Sequence, residues 1–308
     1  MRPYLQLIRA PLAATAVANA WVAGALGGGD APLQAWVLLG LASAALYWAG
    51  MALNDVFDRE RDAHLYPKRP LPSGAIGVGV AATLGAGLLL AGVGLATAAG
   101  LLAGRGLLGL WASALTALWI LLYDGLLKRW RHPGCFAMAA CRAANAGLGL
   151  AVLGGSLGAP LALGYAGALF LYVYGLTVVS TYEDEEAPRA ILAAAGALLL
   201  GLPIAGAAWA LTYGGPAEPP RKWAALGCML LLAVVWSQLV DLFVHGTRAR
   251  GQSAVRTLLH ALWALDLSAA LLGAPWLVFA PLAALYAASR LAVRVLFRPP
   301  PPPAPEPA

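Results

Sequence analysis

Three aspartates, Asp55, Asp58 and Asp62, are spaced so that a helix would place their carboxylates on one face. Carboxylates this close repel one another unless a cation lies between them. Oxygen-only ligands suit Mg²⁺, which binds through one or two protein carboxylates together with substrate phosphates. The spacing therefore predicts a site for a magnesium-bound diphosphate. The plain alternative is that these charges only mark where a membrane helix leaves the bilayer.

The acidic motif ends an apolar run, from Leu33 to Leu53, that is long enough to span a bilayer. Hydrophobic residues make up 61% of the 308 positions and charged residues 11%, whereas a soluble domain has about 25% charged residues. The chain is therefore predicted to be an all-α polytopic membrane helical bundle. The apolar segments are 10–27, 33–53, 77–102, 106–124, 135–154, 160–182, 189–212, 223–244, 255–273 and 275–297.

Basic residues are concentrated on one side of the predicted membrane. If Met1 starts in the cytoplasm, sixteen of the 20 Lys and Arg residues fall on that side and three on the other. This positive-inside bias predicts that the N-terminus and the acidic motifs face the cytoplasm. We expect a multi-pass protein of a bacterial inner membrane, with the lipid bilayer and no nucleic acid among its partners. The three cysteines lack CxxC spacing, which indicates neither a zinc site nor a disulfide framework.

The run from Asn54 to Asp62 and the sequence R-P-L-P-S-G from Arg69 to Gly74 resemble the UbiA superfamily of intramembrane prenyltransferases. In that family the aspartates hold Mg²⁺ on a prenyl diphosphate, and the leaving prenyl cation alkylates an acceptor. The resemblance implies a UbiA-like bundle around a central cavity, with Asp55, Asp58 and Asp62 as catalytic and metal-binding residues. It also implies Mg²⁺ as the cofactor, and a prenyl diphosphate and a small-molecule acceptor as partners.

The family fold usually has nine spans, so nine to ten transmembrane helices are expected here. Three arginines near the C-terminus, Arg290, Arg294 and Arg298, favour ten, and segment 255–273 fits a span least well because it carries His260 and Asp266. A single membrane domain is predicted over residues 1–298. The proline-dominated tail, 299–308, is predicted to be disordered.

A short internal repeat predicts two pseudo-repeat halves. The sequence L-Y-W-A-G at 46–50 returns as L-Y-V-Y-G at 171–175, and this offset sets Glu183 opposite Asp58. One shared pattern is also compatible with chance. The second acidic motif lacks the family's aspartate spacing, and Ser180 stands opposite Asp55. We expect Glu183 to be a catalytic metal ligand, with further candidates one turn along or beside it: Asp184, which otherwise solvates the helix end, and Glu186.

Other residues resemble a subgroup often called EboC-like. The run M-x-x-C-R-x-x-N is matched from Met138 to Asn145, and a T-x-x-x-x-x-E pattern is matched by Thr177 and Glu183. A late Leu-Asp pair ends at Asp266. This resemblance does not name an acceptor.

Basic residues behind the motif are candidates for binding the diphosphate. Lys68 and Arg69 can neutralise the leaving group, or they are ordinary inside-positive flanking residues. In the family, a tyrosine and a lysine at the end of the fourth segment contact the substrate. Tyr123, a candidate catalytic residue, and Lys128 match them. Their alternative is an interfacial anchor. Asn54, inside the first motif, joins this set.

Three polar residues fall within predicted spans. Arg142 and Asn145 lie one turn apart, and a charge at membrane depth is costly unless it faces a cavity or a partner. Arg142 is therefore either a diphosphate ligand or a partner of an acid such as Asp55 or Glu183. Asn145 and Asn19 are further candidates for the substrate site, although a single Asn often serves only to join helices.

These patterns favour a Mg²⁺-dependent prenyltransferase that moves a prenyl group from its diphosphate to a small acceptor. The alternative is a catalytically weak relative that binds or helps traffic a lipid or metabolite, which the degenerate second motif would explain. A secondary transporter is a third hypothesis, but its site would lie near the bilayer midplane rather than at a helix end.

Overall fold

The computed structural model describes residues 1–182, 188–212, 219–245, 248–273 and 275–296. These parts form helices joined by short loops, and they contain no strand, as predicted for an all-α fold. A helix satisfies every backbone N–H and C=O internally, which the lipid interior requires. The α-helices are α1 (Arg2–Leu7), α2 (Ala13–Leu26), α3 (Leu33–Phe57), α4 (Arg59–Leu65), α5 (Val78–Leu102), α6 (Leu108–Gly125), α7 (Arg131–Leu153), α8 (Pro160–Ser180), α9 (Arg189–Thr212), α10 (Pro219–His245), α11 (Arg248–Gly273) and α12 (Pro275–Leu296).

Each of the ten predicted apolar segments is a helix. In the described part of the chain, nine helices are long and apolar enough to cross a membrane, and the segment Ala10–Leu26 is shorter. The least typical span is therefore the first one rather than 255–273, since α11 is among the nine despite Asp266. The chain is an integral membrane protein.

Helix α2 lies inside the bundle and packs against α3, α7, α8 and α11. Twelve of its fourteen residues are buried, so neighbouring helices shield this short element from lipid. Small residues allow the close approach. A Cβ on Gly149 of α7 would overlap the carbonyl of Ala20, and one on Gly24 of α2 would lie 2.7 Å from the Leu153 side chain.

Helix α3 carries the acidic motif and is held along α5. Leu46 and Leu53 of α3 fill the space that side chains would take at Gly92 and Gly85 of α5. The two segments of the internal repeat lie within α3 and α8, and their relation as two halves stays a prediction.

The acidic motif is not one uninterrupted helix, which corrects the sequence prediction. Helix α3 ends at Phe57, Asp58 forms a turn with φ −91° and ψ 5°, and α4 follows. The break coincides with the end of the apolar run, where freed backbone groups can reach water or side chains. Asp58 N still donates to Asn54 O at 2.9 Å, and Asp62 N to Asp58 O at 2.8 Å, so the helical path is nearly kept.

The loop between α4 and α5 is compact. Its turns are closed by backbone hydrogen bonds, among them Ile76 N to Pro70 O at 3.1 Å. Gly74 has a φ of +75°, which glycine adopts without strain. Leu71 and Ile76 are buried in a cluster with Leu7 of α1, which fixes the loop beside the acidic motif.

Candidate active site

Lys128 lies between the ends of α3 and α6, in the short 3-10 helix Leu127–Arg129. Its Nζ is 2.9 Å from Asp58 Oδ1 and 4.0 Å from Asp124 Oδ1. Asn54 Nδ2 donates to the same Asp124 oxygen at 2.8 Å. The Asp124 side chain is 2% exposed and that of Asp58 is 19% exposed, so these charges are largely removed from water. The structure thus brings Asn54, Asp58 and Lys128 together.

Asp55 faces Arg9, which precedes the 3-10 helix Ala10–Leu12 at the start of α2. Arg9 Nη2 is 3.8 Å from Asp55 Oδ1, and the Asp55 side chain is 6% exposed. Arg9 is in the left-handed region, with φ 47° and ψ 48°, which costs energy for a residue with a Cβ. A strained residue thus holds its guanidinium near a buried carboxylate.

Asp62 forms the third pair, with Arg69 from the following loop. Arg69 Nη1 donates to Asp62 Oδ2 at 2.5 Å, and its Cζ lies 4.1 Å from the centroid of the Tyr66 ring. The loop that resembles the family sequence therefore reaches the acidic motif through Arg69. Lys68 is exposed.

The three aspartates do not form a preassembled metal cage. Among the described residues, no three His, Cys, Asp or Glu side chains converge closely enough to hold a metal ion. Asp55 Oδ1 is nevertheless buried and accepts no hydrogen bond from the described residues, so its lone pairs are available to a ligand. Carboxylate oxygens are the donors that Mg²⁺ prefers, and phosphate oxygens and water can complete its coordination. The residues therefore fit a magnesium ion that arrives with a diphosphate.

The second acidic motif cannot be placed in this site. Its predicted ligands Glu183, Asp184 and Glu186 lie outside the described residues. The preceding residue, Tyr182, is buried, and its ring centroid lies 4.1 Å from Arg131 Cζ. The end of α8 therefore reaches the start of α7, and metal binding by the second motif stays a prediction.

Tyr123 lies in the last turn of α6, next to Asp124, and is half-buried. This position is close in sequence to the cluster around Lys128, but no hydrogen bond of the Tyr123 hydroxyl is formed with the described residues. Its predicted catalytic role stays a prediction.

Arg142 and Asn19 belong to a second polar cluster, deeper in the bundle. Arg142 Nη1 donates to Thr15 Oγ1 at 2.9 Å and to Asn19 Oδ1 at 3.1 Å. Arg142 lies about 16 Å along α7 from its first residue, Arg131, which is near the middle of a bilayer. The structure therefore does not bring Arg142 or Asn19 to the ion-paired aspartates.

Asp266 and Tyr165 complete the deep cluster. Asn19 Nδ2 donates to Asp266 Oδ1 at 3.0 Å and to Tyr165 Oη at 3.2 Å, and Tyr165 Oη donates to Asp266 Oδ1 at 2.6 Å. Arg142 is thus linked to Asp266 through Asn19 and has no direct contact with Asp55, one of the two acids that the sequence suggested as partners. The other, Glu183, lies outside the described residues.

Asn145 joins three helices. Its Oδ1 accepts from Ser43 Oγ of α3 at 2.8 Å, and its Nδ2 donates to the Ala16 carbonyl of α2 at 2.8 Å. These bonds satisfy a buried amide inside the bundle. They support a packing role, and a contact with the diphosphate stays a prediction.

Sequence reasoning missed several members of both clusters. Asp124 carried a usable signal, since an acid inside an apolar segment points to an interior partner or cavity. Arg9 carried none, because it looks like ordinary flanking charge and is placed by an unusual backbone turn. Thr15 and Tyr165 had no signal beyond being polar in apolar segments.

Comparison with known proteins agrees with the fold. Residues 12–250 match the model of the UbiA prenyltransferase family. The chain is 34% identical over 139 residues to digeranylgeranylglyceryl phosphate synthase from Ignicoccus hospitalis. The aligned residues cover 45% of this chain and 43% of that protein. The match thus spans less than half of the length of that curated relative.

Solved structures show the same fold. A structure of digeranylgeranylglyceryl phosphate synthase superposes with a TM-score of 0.64 at 20% identity, covering 89% of this chain and 98% of that one. A UbiA homolog from Archaeoglobus fulgidus bound to GPP and Mg²⁺ gives a TM-score of 0.62 at 18% identity, covering 96% and 99%. Since the family model matches most of the sequence, the chain belongs to the UbiA prenyltransferase family.

Proposed function

We propose that this protein is a Mg²⁺-dependent intramembrane prenyltransferase that moves a prenyl group from its diphosphate to a small acceptor. One observation carries the proposal: each aspartate of the first motif lies beside a basic side chain from another segment, at one end of the bundle. Such an arrangement offers carboxylates for a metal ion and cations for a diphosphate in the same place.

The basic residues are proposed to exchange partners when substrate binds. Arg9, Arg69 and Lys128 neutralise carboxylates in the structure, and the same groups can donate to phosphate oxygens. When bound, Mg²⁺ supplies Lewis-acid stabilisation of the leaving diphosphate. The bond between C1 and the diphosphate oxygen breaks with both electrons going to diphosphate, the acceptor's nucleophilic atom bonds to C1, and its proton is released to water or to diphosphate.

The relatives support a prenyl diphosphate as the donor. One solved homolog holds GPP with Mg²⁺, and another holds DMAPP with Mg²⁺. The name digeranylgeranylglyceryl phosphate synthase makes geranylgeranylglyceryl phosphate one candidate acceptor to try. The positive-inside bias supports a site on the cytoplasmic face, and we propose a bacterial inner membrane as its location.

The experiment is a product assay with purified protein in nanodiscs. Labelled geranylgeranyl diphosphate would be supplied with geranylgeranylglyceryl phosphate or with a membrane extract, in Mg²⁺ or in EDTA, and prenylated lipid detected by mass spectrometry. Mg²⁺-dependent product formation supports the proposal. Failure to form product or release diphosphate with any acceptor contradicts it.

A binding or trafficking protein is the second candidate, and one observation favours it. Ser180 stands at the position that the internal repeat assigns to a second Asp55, and the acidic residues after it lack the family's spacing. A second metal ion would then be held weakly, and ionisation would be slow. Mg²⁺-dependent binding of the same diphosphates without their release would identify this role.

A further inference from the structure

Arg142 is a charged residue near the middle of a membrane helix, and it has no direct ionic partner among the described residues. Within the described part of the chain, no carboxylate oxygen lies within 4.0 Å of its guanidinium. A charge at this depth is costly and is usually retained for a partner, a pathway or a ligand. Its partner or ligand must therefore be found among the groups around it.

The guanidinium is fixed on one side and open on the other. Nη1 donates hydrogen bonds to Thr15 and Asn19, and Cζ lies 5.4 Å from the centroid of the Tyr47 ring. Nε and Nη2 make no hydrogen bond to the described residues, and neither nitrogen is fully buried. These two donors form one edge of the planar fork, which matches two oxygens of a carboxylate or phosphate.

Asp266 balances the charge of Arg142 from a distance. The two residues are joined through the Asn19 amide, whose oxygen accepts from Arg142 and whose nitrogen donates to Asp266. Asp266 Oδ2 is buried and has no hydrogen-bond partner in the part of the chain that the structure describes. Because Asn19 separates the two charges, the guanidinium keeps a positive field toward its open edge while the bundle avoids an isolated charge.

The open edge of Arg142 is separate from the diphosphate site, but both places border helix α3. Tyr47, which the guanidinium approaches, is eight residues before Asp55 on α3, or about 12 Å along the helix. Helix α3 borders both clusters, and it packs against α2 and α7, which carry Asn19 and Arg142. A molecule of modest length can therefore reach from one cluster to the other.

We propose that Arg142 binds the anionic end of the acceptor, a carboxylate or a phosphate, while the acceptor's nucleophilic end points toward the aspartates. This inference rests on the proposed function, since it divides the substrates between two polar clusters. The acceptor is then a small molecule with an oxyanion about 10 Å or less from its nucleophilic atom, because that atom must come within about 3.5 Å of C1 of the prenyl group.

Binding of two pairs of probes tests the site. The first pair is 4-hydroxybenzoate and its neutral amide, and the second is geranylgeranylglyceryl phosphate and its dephosphorylated alcohol. Dissociation constants would be measured on purified protein in detergent for the wild type, Arg142→Gln and Arg142→Lys. Arg129→Gln, which removes an exposed arginine outside both clusters, is the matched control. A non-reactive thio analogue of geranyl diphosphate with Mg²⁺ reports the other site.

At least one anionic probe is expected to bind the wild type more tightly than its neutral counterpart. Arg142→Gln should lose at least about tenfold of that affinity, with binding of the thio analogue unchanged, and Arg142→Lys should keep part of it because the charge remains. A loss of affinity in the 4-hydroxybenzoate pair would indicate a carboxylate as the anionic end, and a loss in the glyceryl phosphate pair would indicate a phosphate. Where Arg142→Gln does not fold, the partial loss in Arg142→Lys decides the matter.

The proposal is overturned if both anions bind no better than their neutral counterparts, or if Arg142→Gln binds them as the wild type does. It is also overturned if Arg142→Gln loses the thio analogue in parallel, since Arg142 would then serve the diphosphate. Failure of the wild type to bind the thio analogue would instead contradict the proposed function, and the two results are read independently.

Discussion

The ammonium group of Lys128 lies 2.9 Å from Asp58 Oδ1 and 4.0 Å from Asp124 Oδ1, so one lysine neutralises carboxylates at the ends of two helices. The same arrangement positions Lys128 to meet a phosphate beside Asp58. Lys128 thus has a structural contact in the resting protein and, in our proposal, a ligand contact in the substrate complex.

Replacing Lys128 separates these two contributions. In Lys128→Met the largely buried Asp58 and Asp124 lose their cation, and we expect the free energy of unfolding to fall by about 1–3 kcal/mol. The affinity for a Mg²⁺-bound thio analogue of geranyl diphosphate should fall by about tenfold or more. Lys128→Arg should restore most of the stability. Unfolding in detergent and ligand titration measure the two effects, and unchanged affinity in Lys128→Met would remove this lysine from the site.

Arg9 offers a contrast, because its backbone is strained and its ion pair with Asp55 is long. Asn adopts the left-handed conformation more readily than Arg, so Arg9→Asn should leave the free energy of unfolding within about 1 kcal/mol of wild type. The KM for the prenyl diphosphate should rise, and Arg9→Lys should recover part of it because the charge returns. Steady-state kinetics measure this KM, with Arg129→Gln as the control variant. A KM that stays the same in Arg9→Asn would show that Arg9 serves the fold alone.

Two glycines of α7 test the packing that holds the deep cluster together. A Cβ at Gly149 would overlap the carbonyl of Ala20, whereas one at Gly147 meets open space. Both changes gain the same helix propensity, up to about 1 kcal/mol, so their difference reports packing. We expect Gly149→Ala to be less stable than Gly147→Ala by about 1–3 kcal/mol in unfolding measurements. Equal stabilities would mean that α2 and α7 are not in the close contact described.

Much of the fold was predictable because lipid leaves few choices. Apolar stretches of sufficient length must become helices, and all ten predicted segments did. The sequence pattern did not predict which of the ten segments is the least typical span. The polar residues of α11 suggested a poor span, yet Asp266 is satisfied in part by Asn19 and Tyr165 inside the bundle. Such pairing across helices is not visible in a single segment.

The candidate site was predictable only where its members adjoin a motif. Asp58 and Lys128 were both identified from the sequence, and the structure places them in contact. The position of Arg9 beside Asp55 could not be predicted, because it depends on a left-handed backbone conformation that the residue types there do not indicate. The depth of Arg142 followed from its position in a span, but its link to Asp266 required the tertiary arrangement.

The central claim is that the first acidic motif binds and ionises a prenyl diphosphate with Mg²⁺. The most direct measurement is diphosphate release from geranylgeranyl diphosphate by purified protein in nanodiscs, with an acceptor source, for wild type, Asp58→Asn and Asp241→Asn. Asp241 is paired with Arg250 on α10 and α11, so its variant removes an equivalent charge elsewhere. We expect Mg²⁺-dependent release that falls about 10²-fold or more in Asp58→Asn and persists in Asp241→Asn. Release that is equal in wild type and Asp58→Asn, or that is unaffected by EDTA, would contradict it.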